Sequence, residues 1–421
     1  MNGLIQIARS PLWRHRNFLR LWTAQAVSAF GSRITRTALP IIAVKSLGAT
    51  PLDVSILGAL GVAPGVAVGL FASGAIDRAH KRRTLIALDL VRAALLLLVP
   101  LAAILGVLAI WQLWVIAALS GAATMAFRMA DIAYLPRLVA SEHILECNSK
   151  LQTTEAIAEI GGPGVAGILI QLITAPVAII VDAVSFLWSA LWLARIDAPE
   201  EQTQEAAPRH PLADIAIGWR ACISHDVVRL VLAGHALFLT LGGFFMALYM
   251  IFTLRDLALS EAMVGIIIGA GGIGALWGAM IAGPMSRRLG YGPAMVLCLG
   301  AWALATACVP LAKDAGDLTL PLLFAQQLGG DGFLSAFVIL QVSMQQALLP
   351  QEIQARVAAV FHIAEGIALP LGALVATMLS AVFGITQTLW IAVGGTLIGV
   401  AFLGFSKLWR VRELPVPLPT R

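Results

Sequence analysis

Charged side chains stand in the middle of several long apolar runs of this sequence, and they carry whatever chemistry it has. Arg33 and Arg36 lie near the centre of the first run, spaced i,i+3 and therefore on one face of a helix. Glu155 and Glu159 share a face of another run. Asp331 lies near the centre of a third, Glu365 follows His362 in a fourth, and His235 sits in a fifth. Inside a bilayer an ionisable residue costs about 2.5–3.5 kcal/mol on insertion scales, so each needs a partner, a water-filled path or a proton to carry. These residues are the candidate substrate and proton pathway. The expectation is that Arg33 faces one or more of Glu159, Asp331 and Glu365 across a cavity. Movement that changes that distance would change the affinity of the carboxylate for a proton.

Other charges suit quieter roles. Asp89 and Arg92 are spaced for a static ion pair, and so are Arg128 and Asp131. The second pair could also join a turn built from Asp77, Arg78, Lys81 and Arg82. That turn, Ser73-Gly-Ala-Ile-Asp77-Arg78-Ala-His80-Lys81-Arg82-Arg83, is trapped between two apolar runs, and its cations place it on the cytoplasmic side. Asp77 is not needed for topology; it can cap the start of the third run or pair with a facing helix end. Enzyme chemistry has no foothold. The sequence has no nucleotide-binding loop, no Gly-x-Ser-x-Gly elbow and no His-Glu-x-x-His. Its four cysteines (Cys147, Cys222, Cys298, Cys308) lack metal or disulfide spacing, so no metal and no cofactor is expected.

The elements that must position these groups follow from composition. Of 421 residues, 59% are hydrophobic and only 12% charged, with a mean hydropathy of +0.88, which excludes a soluble protein. Apolar runs fall at 20–44, 55–76, 84–105, 109–134, 151–173 and 176–195, then 228–253, 262–284, 291–312, 319–345, 357–382 and 386–406. Each is long enough to cross a hydrocarbon core of about 30 Å as a helix. The expected fold is an all-α integral membrane protein of about twelve transmembrane helices in two pseudo-symmetric six-helix bundles. The net charge of +5 resides in short loops and gives a positive-inside bias, not a nucleic-acid partner. It puts both termini in the cytoplasm, and the basic N-terminus lacks the pattern of a cleaved signal peptide.

One polar stretch, Asp197 to Arg209, has the composition of a solvated linker, and an amphipathic segment around Trp219 follows it. The expected division is a bundle over 1–196, a cytoplasmic linker with a surface helix over 197–227, and a bundle with a short tail over 228–421. The halves echo one another. Gly283-Pro-Met-Ser286-Arg287-Arg288-Leu-Gly290 repeats the basic turn, and Leu135-Pro136 with Gly162-Pro163 parallels Leu349-Pro350 with Leu369-Pro370.

Together these pieces resemble the major facilitator superfamily. Its turn between spans two and three reads Gly-x-x-x-Asp-Arg-x-Gly-Arg-Arg. Asp77, Arg78, Lys81 and Arg82 occupy the charged places, Ser73 replaces the first Gly and His80 the second. Gly162-Pro163-Gly164-Val165-Ala166-Gly167 is similar to the helix-kink motif of the family's exporters. Phe18-Leu-Arg-Leu-Trp22, Gly31 with Ala38-Leu-Pro40, Tyr134-Leu-Pro136, and Gln346 with Pro350 and Arg356 resemble the drug:proton antiporter branch that includes enterobactin and macrolide exporters. The resemblance implies that spans one, four, seven and ten line a central cavity, flanked by two, five, eight and eleven, and that the basic turn latches the halves together. It implies alternating access with export of a small amphipathic compound (a drug, a siderophore or a lipid-like metabolite) by proton antiport. The expected partners are that substrate, protons and the lipid bilayer, with no nucleic acid. The chain is expected as a monomer in the inner membrane. The alternatives are a non-transporting membrane scaffold or assembly factor, and an uptake symporter.

Overall fold

A computed structural model describes residues 11–72, 76, 79–139, 143–197, 211–349 and 351–413. Among the described residues there is no strand. The first six long helices are α1 (Arg16–Ile41), α2 (Pro51–Phe71), α3 (Lys81–Ile104), α4 (Ile110–Leu138), α5 (Ile144–Ile173) and α6 (Ala175–Ala194). A shorter helix, α7 (Pro211–Ser224), precedes α8 (Asp226–Ile251), α9 (Glu261–Leu289) and α10 (Tyr291–Thr306). Next come α11 (Thr319–Ala325), a π-helical turn (Gln326–Gly330), α12 (Asp331–Leu348), α13 (Gln351–Phe383) and α14 (Ile385–Gly404). Among the described residues 11 helical stretches are long and apolar enough to cross a membrane. The sequence leads one to expect about twelve, and α1 is the difference. It has 26 residues, but Gln25, Arg33, Arg36 and several hydroxyls lower its apolarity below that of its neighbours.

The chain divides into two compact units: 1–48 with 60–209, and 49–59 with 210–421. Within the first, α1 packs on α5 and α6, and α3 on α4 and α6. Within the second, α8 packs on α13 and α14, and α10 on α12 and α14. The pairing repeats, and so do the local devices, at a constant separation of 210 residues. His15 caps α1 by accepting from Phe18 N at 3.1 Å, and His225 caps α8 by accepting from Val228 N at 3.5 Å. Each of these helices closes with a five-residue π-helical turn, Ile42–Ser46 and Phe252–Asp256. A left-handed residue comes next, Gly48 with φ 66° and Ala258 with φ 51°. Thr50 and Ser260 then cap the following helices through hydroxyls that accept at 3.3 Å.

This register differs from the proline echo read in the sequence. Gly162 corresponds to Gly372, and both lie where the helix must touch its neighbour. A Cβ on Gly162 would overlap the stem of Arg33, and one on Gly372 the backbone of Thr240. Close helix approach fixes the repeat more strictly than the prolines do, because a proline kink can shift by a turn. The two basic turns also diverge. Gly290 sits at φ 90°, whereas His80 in the corresponding place has an ordinary φ of −66°. That place therefore needs no glycine in the first unit.

Candidate functional site

Glu155, Glu159 and Gly162 fall on one face of α5, four and then three residues apart. Because Gly162 has no side chain, α1 lies against this face, with the arginine stem where a Cβ would come within 2.7 Å of Arg33 Cγ. The Arg33 guanidinium is thereby delivered between both carboxylates. It donates to Glu155 at 3.1 Å and pairs with Glu159 through its other terminal nitrogen. Arg33 is buried, while the two glutamates remain about half exposed. Arg36 is exposed one turn further along α1, and the charges of Arg33, Arg128, Glu155 and Glu159 all act on it. Arg33 is the guanidinium in ion-pair contact with the two carboxylates, and Arg36 adds its charge beside them. The expectation set Arg33 against one or more of Glu159, Asp331 and Glu365; its ion-pair partners here are Glu159 and also Glu155, both from α5 of its own unit. Pro163 and Gly167 are buried behind this contact, and Gly164 faces open space.

Asp131 does not pair with Arg128. It accepts from Gln25 Nε2 of α1 at 2.5 Å, and Arg128 is left exposed with its charge acting on Arg36. An i,i+3 spacing permits an ion pair, but the amide crossing from α1 takes the carboxylate first. The Asp89–Arg92 pair does form, fully buried, and Arg92 lies between the rings of Phe127 (4.3 Å) and Phe186 (4.1 Å). Asp182 of α6 adds a further buried carboxylate, held by Ser185 at 3.0 Å and close enough to act on Arg92. Asp182 is absent from the candidates above, although a lone acid in the middle of an apolar run is a signal the sequence carries.

Asp77 and Arg78 lie outside the described residues. Lys81 is buried, and its ammonium donates to the carbonyls of Ile76 (2.6 Å) and Ala79 (3.2 Å). Arg82 donates to Leu193 O at 3.1 Å and to Ala194 O, capping the end of α6.

In the second unit, Asp331 opens α12 directly after the π-helical turn, against Gly271, where a Cβ would stand 3.1 Å from its carboxyl carbon. In the 210-residue register Asp331 occupies the place of Gly121, which packs on Gly61 as Asp331 does on Gly271. The second unit thus holds a carboxylate where the first has a bare helix contact. Glu365 lies 3.5 Å from His362 Nδ1 on α13, and the His235 ring on α8 packs against Phe361. These groups line a cavity of about 460 Å³ together with Gln341, Gln345 and Gln354. The glutamines are functional candidates that a search restricted to ionisable residues misses. Among the described residues no cluster of His, Cys, Asp and Glu could hold a metal ion.

Residues 8–416 match the family described as transmembrane secretion effector. An uncharacterised MFS-type transporter, YvqJ of Bacillus subtilis, is 24% identical over 330 residues, 76% of each chain. Macrolide efflux protein A of Streptococcus pyogenes is 24% identical over 183 residues, 44% of this chain and 45% of that one. Among solved structures, a nucleoside transporter NupG mutant superposes with a TM-score of 0.74 at 15% identity, covering 92% of this chain and 98% of the other. A bacterial homologue of the iron transporter ferroportin gives 0.70 at 18% identity, covering 94% and 98%. The structural likenesses carry the fold, and the match over nearly the whole length carries the family: this chain is a multi-pass membrane protein of the transmembrane secretion effector family, within the major facilitator superfamily of transporters.

Proposed function

We propose that the protein exports small amphipathic compounds across the inner membrane by proton antiport, as a monomer with both termini in the cytoplasm. The observation that supports this most is Arg33 held between Glu155 and Glu159 at the α1–α5 contact. A guanidinium shared by two half-exposed carboxylates can release one of them without leaving itself unpaired. A proton on either glutamate breaks one ion pair and keeps the other. Cargo that binds beside Arg33 and engages one of these carboxylates competes with a proton for it. Proton binding and cargo binding then exclude one another at the same group, so proton entry drives cargo release, which is what exchange requires. Export as the direction is supported by the macrolide efflux relative and by the Gly162-Pro163 motif.

The test is transport by the purified chain in vesicles with an imposed pH gradient. Glu159→Gln and Glu155→Gln should each bind cargo yet lose most pH-driven export. Arg33→Ala should lose both binding and export, since it strands two carboxylates. Full pH-driven export by all three variants would remove this centre from the mechanism. Accumulation in the direction of proton flow would replace antiport by symport.

A further inference from the structure

All the described residues lining the 460 Å³ cavity belong to the second unit, on or next to α8, α12 and α13. It lies toward the end of the unit at which α8 and α13 begin and α12 finishes. The volume falls in the range of small-molecule sites. Its polar groups are not used up internally. Gln341 is only 4% exposed, and its Oε1 has no hydrogen-bond partner; the same holds for Gln345 Nε2 and His235 Nδ1. His235 and Gln341 are close enough to act on each other but make no hydrogen bond of ordinary geometry. Buried polar atoms left without partners are costly unless a ligand or water completes them. Among the described lining residues there is no lysine or arginine, and Glu365 is the one carboxylate. With its histidines neutral, this described lining therefore carries one negative charge.

We infer that this cavity is a binding site for a hydrophobic organic cation, a protonated or quaternary amine. The cation sits against Glu365 and the ring of Phe361, and Gln341 and Gln345 complete its polar contacts. A proton on His362 competes with the cation, because His362 Nδ1 lies 3.5 Å from Glu365 Oε2 and would neutralise the carboxylate. Among the described residues, the ionisable groups acting on Glu365 are His362 on its own helix and His235 from α8, and α12 contributes the uncharged glutamines to the lining. Cargo and proton thus exclude each other inside one unit. The physiological cargo rests on the export reading above; the site itself does not.

Binding of radiolabelled tetraphenylphosphonium to the purified full-length chain tests this apart from transport. The wild type should bind it saturably, and tetraphenylborate, the anion of the same size, should not displace it. Glu365→Gln and Gln341→Leu should each weaken binding about tenfold or more while keeping the wild-type thermal midpoint, since each removes a principal contact. Affinity should fall between about pH 8 and about pH 5.5, the range in which a histidine titrates, and His362→Asn should flatten that fall. The site is overturned by absence of saturable binding to the wild type, by unchanged affinity in Glu365→Gln, or by equal displacement with tetraphenylborate. A pH profile unchanged in His362→Asn removes the competition. If binding behaves as expected but a pH gradient drives no export, the antiport reading fails and this site stands.

Discussion

At the scale of single residues, buried ion pairs divide into those that hold the protein together and those left open to exchange. Asp89 and Arg92 belong to the first kind. Both are sealed from solvent, and the guanidinium is clamped between Phe127 and Phe186. Removing one partner of such a pair typically costs about 3–5 kcal/mol, because the other charge stays buried. Asp89→Ala should therefore lower the thermal midpoint of the detergent-solubilised protein markedly. The double change Asp89→Ala with Arg92→Met should recover most of that loss. An unchanged midpoint in the single variant would show that Asp182 alone satisfies Arg92. The Arg33 centre is the opposite case, since both its carboxylates stay about half exposed and are open to protons and cargo.

At the scale of elements, the two units repeat helix contacts more faithfully than they repeat residues. The α8–α13 contact relies on Gly243 against Leu369 O and on Gly372 against the Thr240 carbonyl, both backbone atoms that cannot turn aside. Gly372→Val should abolish recovery of monodisperse protein, whereas Gly164→Ala, which faces open space, should be tolerated and read as wild type by size exclusion. The short helix α7 is held in a similar way, with Gly218 against Arg356 O of α13. Burial there pushes the Cys222 thiol up to about 11, so it stays protonated and inert at neutral pH. The π-helical turn before Asp331 is the one such insertion without a counterpart in the first unit among the described residues. It falls where the second unit has gained a carboxylate, and π insertions inside α-helices often mark functional positions.

At the scale of the whole molecule, the distribution of cations makes a prediction about sidedness. Lys81, Arg82, Arg83, Arg195, Arg287 and Arg288 gather at alternate helix connections, with Lys45, Arg255 and Lys313 at the others. A reporter fused after Arg83, or within 200–209, should be cytoplasmic, and one after Lys313 external. The reverse at any of the three positions would overturn the assigned topology.

Hydropathy alone was enough to determine the helical membrane fold and to single out the candidate charges, because apolar length and the cost of buried charge are local properties. The family could be read from short motifs for the same reason, since Gly162-Pro163 and the basic turn are contiguous in the chain. Partner choice could not be read. Whether Asp131 would meet Arg128 three residues away or Gln25 on another helix depended on how closely α1 and α4 approach. Arg33 found both Glu155 and Glu159 only because Gly162 lets α1 lie against α5. The cavity around Glu365 escaped notice because half its polar lining is glutamine, which carries no charge to mark it in an apolar run. Helix packing, which joins residues more than a hundred positions apart, decided those pairings, and no pattern within a single helix encodes it.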